Sequence, residues 1–218
     1  MVSKAIASQR MAKHDNNRCR IVLTGGPGGG KTTAADLFRR EIGERVVLVP
    51  ESATLLFGGG FPRARAPKAI LAAQRAIFHV QRNLEDIQAE LFPGRILLCD
   101  RGTVDGAAYW PGEAHHFFNA LGTTLEHELA RYDAVIFFET AAAGDFRIEG
   151  GNPVRNESNQ EALKLDRKLR ALWSKHSRFV LVPHNRSFFK KISFGLAVLD
   201  GIVSELKSRR PGRASRKP

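Results

Sequence analysis

Cysteine is scarce in this chain, with Cys19 and Cys99 the only two and nothing near either that makes a metal-ligand spacing. That scarcity argues against a disulfide scaffold and a structural zinc site, and it fits a reducing, cytoplasmic compartment. No apolar run approaches the ~20 residues that cross a bilayer, so no transmembrane segment is expected. Residues 1 to 18, MVSKAIASQRMAKHDNNR, have no sustained apolar stretch, and no secretory signal is read there. H-E-x-x-H is missing, so His115, His116 and His127 are not expected to hold a metal. The Asn/Thr-Lys-x-Asp motif that reads guanine after a late strand is missing too, which argues against a switch GTPase. There is no internal repeat, and only the ends are compositionally biased.

Charge is abundant but unevenly placed. The formal net charge is +12, of which residues 1 to 18 contribute +3 and residues 207 to 218 (KSRRPGRASRKP) contribute +6. Residues 19 to 206 are left with only +3, so the basic character belongs to two short tails poor in large apolar residues. They read as disordered, solubilising termini, with weak contact to an anionic membrane, a nucleic acid or a protein partner as the functional alternative. The length of 218 residues suits one α/β domain over 19 to 206, with tails at 1–18 and 207–218.

The stretch around which that domain is organised is RIVLTGGPGGGKTT, Arg20 to Thr33. Ile21, Val22 and Leu23 supply a strand, and residues 31 to 42 read as the helix that follows. Between them Gly25, Gly26, Pro27, Gly28, Gly29, Gly30, Lys31 and Thr32 fill every fixed position of G-x-x-x-x-G-K-[ST], with Thr33 behind. Polyphosphate oxygens are best held by backbone N–H groups, and glycine lets the backbone come close enough. Lys31 would add a point charge at the β- and γ-phosphates, and the Thr32 hydroxyl would ligate Mg²⁺.

Four further strands are expected. Val46 to Val49 stops at Pro50, and Glu51 then stands at the C-terminal edge where open parallel sheets bind ligands. There it is a general base, a water-mediated metal ligand, or simply a loop acid or helix cap. Gly58 to Gly60 lacks a Lys-[ST] sequel and reads as a mobile loop rather than a second phosphate site. Pro67 to Phe92 reads as a long helix whose core stripe is Ile70, Ile77, Val80, Leu84, Ile87 and Leu91. Ile96 to Cys99 ends in Asp100, placed as the second nucleotide motif places its magnesium-side carboxylate. Arg101 follows, fit to clamp an acceptor phosphate, to stabilise charge in transfer, or to make a structural salt bridge. Asp105 is explained nearly as well by helix capping. Tyr109, Trp110, Phe117 and Phe118 are expected to build a helical lobe over the site, with a helix over 104–130. Residues 133 to 138 and 178 to 182 read as the last two strands. Between them lies a glycine-rich polar segment with Arg147 and Arg155, placed as a closing lid would be, and then a helix from Glu161 to His176. Asn185 follows the fifth strand, and a final helix is expected over Phe189 to Leu206.

Five apolar strands separated by helices make a doubly wound, mainly parallel sheet with its site at the C-terminal edge. Taken together, GGPGGGKTT, VPES, CDRGTVDGAAYW, YDAVIFFE, GGNPVRNES and VPHNRSFFKK resemble the AAA-type ATP-binding domain family that includes the nicotinamide riboside kinase domain. More distantly, the chain is similar to thymidylate and deoxynucleoside kinases. The resemblance covers nearly all of residues 19 to 206 and implies a kinase-like P-loop NTPase with strand order 2-3-1-4-5, using ATP and Mg²⁺. It matches Glu51 to the base acting on the acceptor hydroxyl, Asp100-Arg101 to the acid-arginine pair after the third strand, and Asn185 to the adenine contact. Arg147 to Arg155 is loosely similar to the arginine lid. A ring-forming AAA+ motor would need a helical lid domain after the fifth strand, for which the chain is too short. The expected function is transfer of the ATP γ-phosphoryl to a hydroxyl of an unidentified small, nucleoside-like acceptor, with a regulatory ATPase or nucleotide switch, its basic tails contacting a partner or anionic membrane, as the alternative. Because the tails carry most of the charge, deleting 1–18 and 207–218 should leave nucleotide binding intact by calorimetry. Binding to anionic vesicles or nucleic acid should fall with the deletion and with added salt.

Overall fold

In the computed structural model, residues 19–144 and 158–208 are described. Strand β1 (Arg20–Thr24) is apolar on both sides because it lies at the centre of the sheet, and it runs straight into the glycine loop. Helix α1 (Lys31–Ile42) returns the chain to β2 (Val46–Val49). Helices α2 (Ser52–Gly58) and α3 (Pro67–Leu91) lead to β3 (Ile96–Asp100). Three short helices follow, α4 (Gly106–Tyr109), α5 (Ala114–Ala120) and α6 (Leu125–Leu129), then β4 (Ala134–Phe138). Helix α7 (Asn159–Trp173), β5 (Phe179–Val182) and α8 (Phe188–Ser208) complete the order.

All five strands are parallel, in the order β2-β3-β1-β4-β5, as the resemblance implies. Side chains of a strand point alternately to either face, and the two cores divide accordingly. Ile21, Leu23, Leu98, Ile136 and Phe138 pack on α1 and α8, against Phe38, Leu199 and Val203. Val22, Leu97, Cys99, Val135 and Phe137 pack on the opposite layer, against Phe78, Phe117, Leu169 and Trp173. The sheet is therefore the middle of three layers. Both cysteines are buried, and they form no disulfide. Among the described residues no helix is long and apolar enough to cross a membrane.

Two expectations need correction. The stretch 104–130 is not one helix, because Pro111-Gly112 and Gly122 break it, the two glycines adopting φ of 87° and 65°. The stripe expected as the core face of α3 is also only partly right, with Leu84 packed against the core and the C-terminal end of the stripe outside it. Ile87 and Leu91 are 53% and 64% exposed, while the buried residues are Ala73, Gln74, Phe78, Gln81, Glu85 and Ala89. That face is polar because it meets a buried network and a cavity rather than an oily layer. Glu85 is wholly buried and accepts from Arg131 Nη2 at 2.6 Å, from the Tyr132 hydroxyl at 2.8 Å and from Gln81 Nε2 at 3.3 Å. Burial, then the Glu85 charge, pushes the Tyr132 phenol well above its ordinary value, so it stays a neutral donor. Removing Glu85 would take the nearest acid from the buried Arg131 and leave Arg20 with the half-exposed Asp86. Glu85→Ala should therefore destabilise the fold by about 3–5 kcal/mol in chemical denaturation.

Candidate functional site

Four glycines of the loop, Gly25, Gly26, Gly29 and Gly30, leave no room for a side chain. Gly25 has a φ of 132°, and a Cβ there would collide with the Phe138 carbonyl. A Cβ on Gly26 would lie 2.6 Å from Asp166 Oδ1. Three of the loop carbonyls are bonded to side chains within the protein. Lys31 Nζ donates to Gly26 O at 2.6 Å, the Thr140 hydroxyl donates to Pro27 O at 2.5 Å, and Lys191 Nζ donates to Gly29 O at 2.9 Å. Asp166 Oδ1 accepts from the N–H groups of both Gly26 and Thr140, at 2.9 and 3.0 Å. Burial raises the Asp166 carboxyl above its ordinary value, and those two hydrogen bonds work against the shift. Gly30 is the residue before α1, with no side-chain cap, so the first N–H groups of that helix have no capping side chain.

Asp100 ends β3 beside β1, with Leu23 as its pairing partner. Burial and the nearby Glu51 charge raise its carboxyl above the ordinary range, and a hydrogen bond with the Thr32 side chain acts in the opposite sense. Its Oδ1 is buried and has no hydrogen-bond partner among the described residues. An orphaned buried carboxylate oxygen next to a threonine hydroxyl suits a hard, oxygen-seeking cation. No group of three or more His, Cys, Asp and Glu side chains among the described residues forms a cage. Such an ion would have to bring waters and phosphate oxygens with it, as Mg²⁺ does.

Arg101 is the one described non-glycine residue with positive φ, 71°. Its Nε donates to Glu51 Oε1 at 2.5 Å and its Nη1 to Asp105 Oδ2 at 2.7 Å. Burial opposes its charge, yet Tyr109, Glu51 and Asp105 together hold its pKa well above the ordinary value. Of the roles read for Arg101, the salt bridge is the one seen here. Glu51 stands at the N-cap position of α2, but its side chain makes no capping bond. Instead it takes Arg101 and the Thr54 hydroxyl, the latter at 2.7 Å. Asp105 likewise caps nothing and accepts from the Thr24 hydroxyl, Trp173 Nε1 and Arg101.

Glu51, Arg101 and Asp105 form part of the wall of a cavity of about 410 Å³. Phe57, Phe78, Phe117 and Tyr109 supply aromatic faces, and Gln74 and Gln81 supply amides. Sequence reasoning placed Tyr109 and Phe117 in this region but not Gln74 or Gln81. Asn185 is exposed past β5, its Oδ1 accepting from Ser187 N at 2.9 Å. Arg147 and Arg155 lie outside the described residues. Asp166 and Lys191 were missed altogether. The available signal was a charge on an apolar stripe, Asp166 between Ala162 and Leu169, and Lys191 four before Gly195.

A parallel 2-3-1-4-5 sheet with this loop between its central strand and first helix is a kinase-like P-loop NTPase fold. The family model described as AAA domain matches residues 20–188, and the chain belongs to that family. Among solved structures it is similar to deoxyadenosine kinase from M. mycoides with bound dATP, with a TM-score of 0.59 at 13% identity. That match covers 83% of this chain and 99% of the other. No curated protein matches the sequence. If the loop holds a polyphosphate, Lys31→Ala should weaken Mg·ATP binding by about 2–4 kcal/mol in calorimetry, through the loss of charge-assisted contacts.

Proposed function

We propose that this protein is an ATP- and Mg²⁺-dependent phosphotransferase that moves the γ-phosphoryl group to a hydroxyl of a small, nucleoside-like acceptor. The observation that carries the reading is the ligand-sized cavity walled by Glu51 and Arg101, the latter adjacent to Asp100. A nucleotide switch requires a phosphate loop but no second chamber beside it. The aromatic faces and paired amides suit a flat heterocycle, and about 410 Å³ lies within the range of small-molecule sites.

In this reading Lys31 and the loop N–H groups hold the β- and γ-phosphates, and Thr33 follows along the nucleotide. Asn185 lies beside the adenine. Thr32 and Asp100 hold Mg²⁺, which when bound neutralises charge on the phosphates. Glu51 accepts the proton of the acceptor hydroxyl as the oxygen bonds to the γ-phosphorus and the bond to the β-γ bridging oxygen breaks, releasing ADP. Arg101 fixes the Glu51 carboxylate through its 2.5 Å bond and keeps a positive charge near the transferred group. Arg147 and Arg155 add lid charge in the same reading, and the basic tails contact an anionic membrane or nucleic acid weakly. A cytoplasmic location belongs to the same reading, in keeping with two buried cysteines that form no disulfide.

ATP turnover measured against nucleosides, nucleoside monophosphates and nicotinamide riboside tests the assignment. We expect acceptor-stimulated turnover that falls 10²- to 10⁴-fold in Glu51→Gln, roughly the worth of a positioned general base, with ATP affinity retained. ATP binding with no acceptor-dependent turnover across the panel would replace this reading with a regulatory nucleotide switch.

A further inference from the structure

Lys191 is a buried lysine that the proposed chemistry leaves unused. It lies on the first turn of α8, only 4% exposed, and its stem packs so that Nζ sits 5.9 Å from the centre of the Phe138 ring. Two carbonyls take its protons, Gly29 O at 2.9 Å and Glu139 O at 2.6 Å. Gly29 is two residues before Lys31, in the middle of the phosphate loop. A lysine carries close to 2 kcal/mol of side-chain conformational entropy and a large hydration energy. Burying one behind a glycine loop needs a compensating reason.

The geometry supplies one. A carbonyl drawn backward turns the following N–H groups of the loop forward, because each peptide unit is planar and its C=O and N–H point in opposite directions. Lys191 does this at Gly29, while Lys31 donates to the Gly26 carbonyl. The two ammonium groups stand on the loop from different elements, α1 and α8. We propose that Lys191 is a second cation of the nucleotide site, a positioning residue that holds the phosphate loop from behind and lends its charge to the bound phosphates. The inference rests on the reading of the loop as a nucleotide site.

The groups facing Lys191 decide what pH does. Glu139, just past β4, and Asp166, on α7, are the acids that favour its charge. Both are already engaged. Asp166 accepts from the Gly26 and Thr140 N–H groups, and Glu139 accepts from the His184 N–H at 2.8 Å and lies 3.5 Å from Arg170. Burial outweighs them and lowers the Lys191 ammonium from 10.5 to about 8. Since the folded value lies below the unfolded one, the unfolded chain holds the extra proton between pH 8 and 10.5. Stability of the free protein from this group therefore rises with pH across that window. Nucleotide affinity should do the opposite. A bound polyanion favours the charged lysine, so binding near pH 8 takes up a proton, and affinity falls as that proton becomes harder to acquire. A lysine that merely stabilised the fold would move the first quantity and not the second.

The experiment is calorimetry of the full-length chain with Mg·ATP and with pyrophosphate, from pH 7 to 9.5, in two buffers of different ionisation enthalpy. Thermal unfolding of the free protein accompanies it. The wild type should take up a fraction of a proton near pH 8 and lose affinity about 10-fold by pH 9.5, the range of one charge-assisted hydrogen bond. Lys191→Met should bind about 10- to 100-fold more weakly at pH 7 and show neither the uptake nor the pH slope. Lys191→Arg, charged throughout, should bind without a slope. If Lys191→Met fails to fold, the wild-type proton uptake still decides, and its absence overturns the proposal. Affinity and uptake in Lys191→Met equal to wild type would overturn it also, and if Lys31→Ala still weakens binding, the nucleotide reading survives alone. A wild-type chain that binds neither ligand sinks both.

Discussion

A loop can offer its N–H groups to an anion only if its carbonyls face the other way and are satisfied there. That constraint organises this protein. Buried carbonyls left without donors would each cost roughly 1–3 kcal/mol, and the glycine loop has no secondary structure of its own to supply them. The donors come from Lys31, Thr140 and Lys191, and Asp166 accepts from the Gly26 N–H. Three of the four lie 113 to 162 residues away in sequence. Helices α7 and α8 and the exit of β4 are therefore parts of the loop in the physical sense, although none belongs to its motif.

That separation explains what could be read in advance. The five strands, their parallel arrangement and the loop residues Gly25 to Thr33 were legible, because apolar runs and glycine spacing are local signals. Asp100 and Glu51 were legible as acids at strand ends. Less could be said where the answer depends on which surfaces meet. The α3 stripe was misjudged because Ile87 and Leu91 satisfy helical spacing as well as Gln74, Phe78, Gln81 and Glu85 do, and only the neighbouring Arg131 and Tyr132 make the polar face the buried one. The cavity escaped notice for the same reason, as its wall is drawn from α2, α3, α4, α5 and the turn after β3. Punctuation was available at Pro111-Gly112 and Gly122, and the single helix expected over 104–130 ignored it.

Arg101 is where the fold stores conformational strain. A non-glycine residue in the left-handed region costs on the order of 1–3 kcal/mol and persists only when its surroundings over-determine it. Here the guanidinium is fixed by Glu51 on one side and Asp105 on the other, and Asp105 is itself held by the Thr24 hydroxyl and the Trp173 indole. The strained turn thereby ties the end of β1 to α7. Relaxing Arg101 to ordinary backbone angles would swing the guanidinium away from Glu51, so the strain and the orientation of the proposed base are one feature.

Helix α7 then joins the two halves of the site. Asp166 on its buried face holds the phosphate loop at Gly26, and Trp173 on the same face holds Asp105. Seven residues are close to two helical turns, so both side chains project from one side about 10 Å apart along the axis. A helix of this length is stiff over that span, and a shift of α7 must move the loop anchor and the Arg101 anchor together. The helix starts from a complete capping box, Ser158 with Glu161, which fixes where its first turn begins. That start directly follows the arginine-bearing segment read as a lid. Any shift of α7 would therefore act on the phosphate loop and on the anchor of Arg101 at once, because one helix carries a hydrogen bond to each.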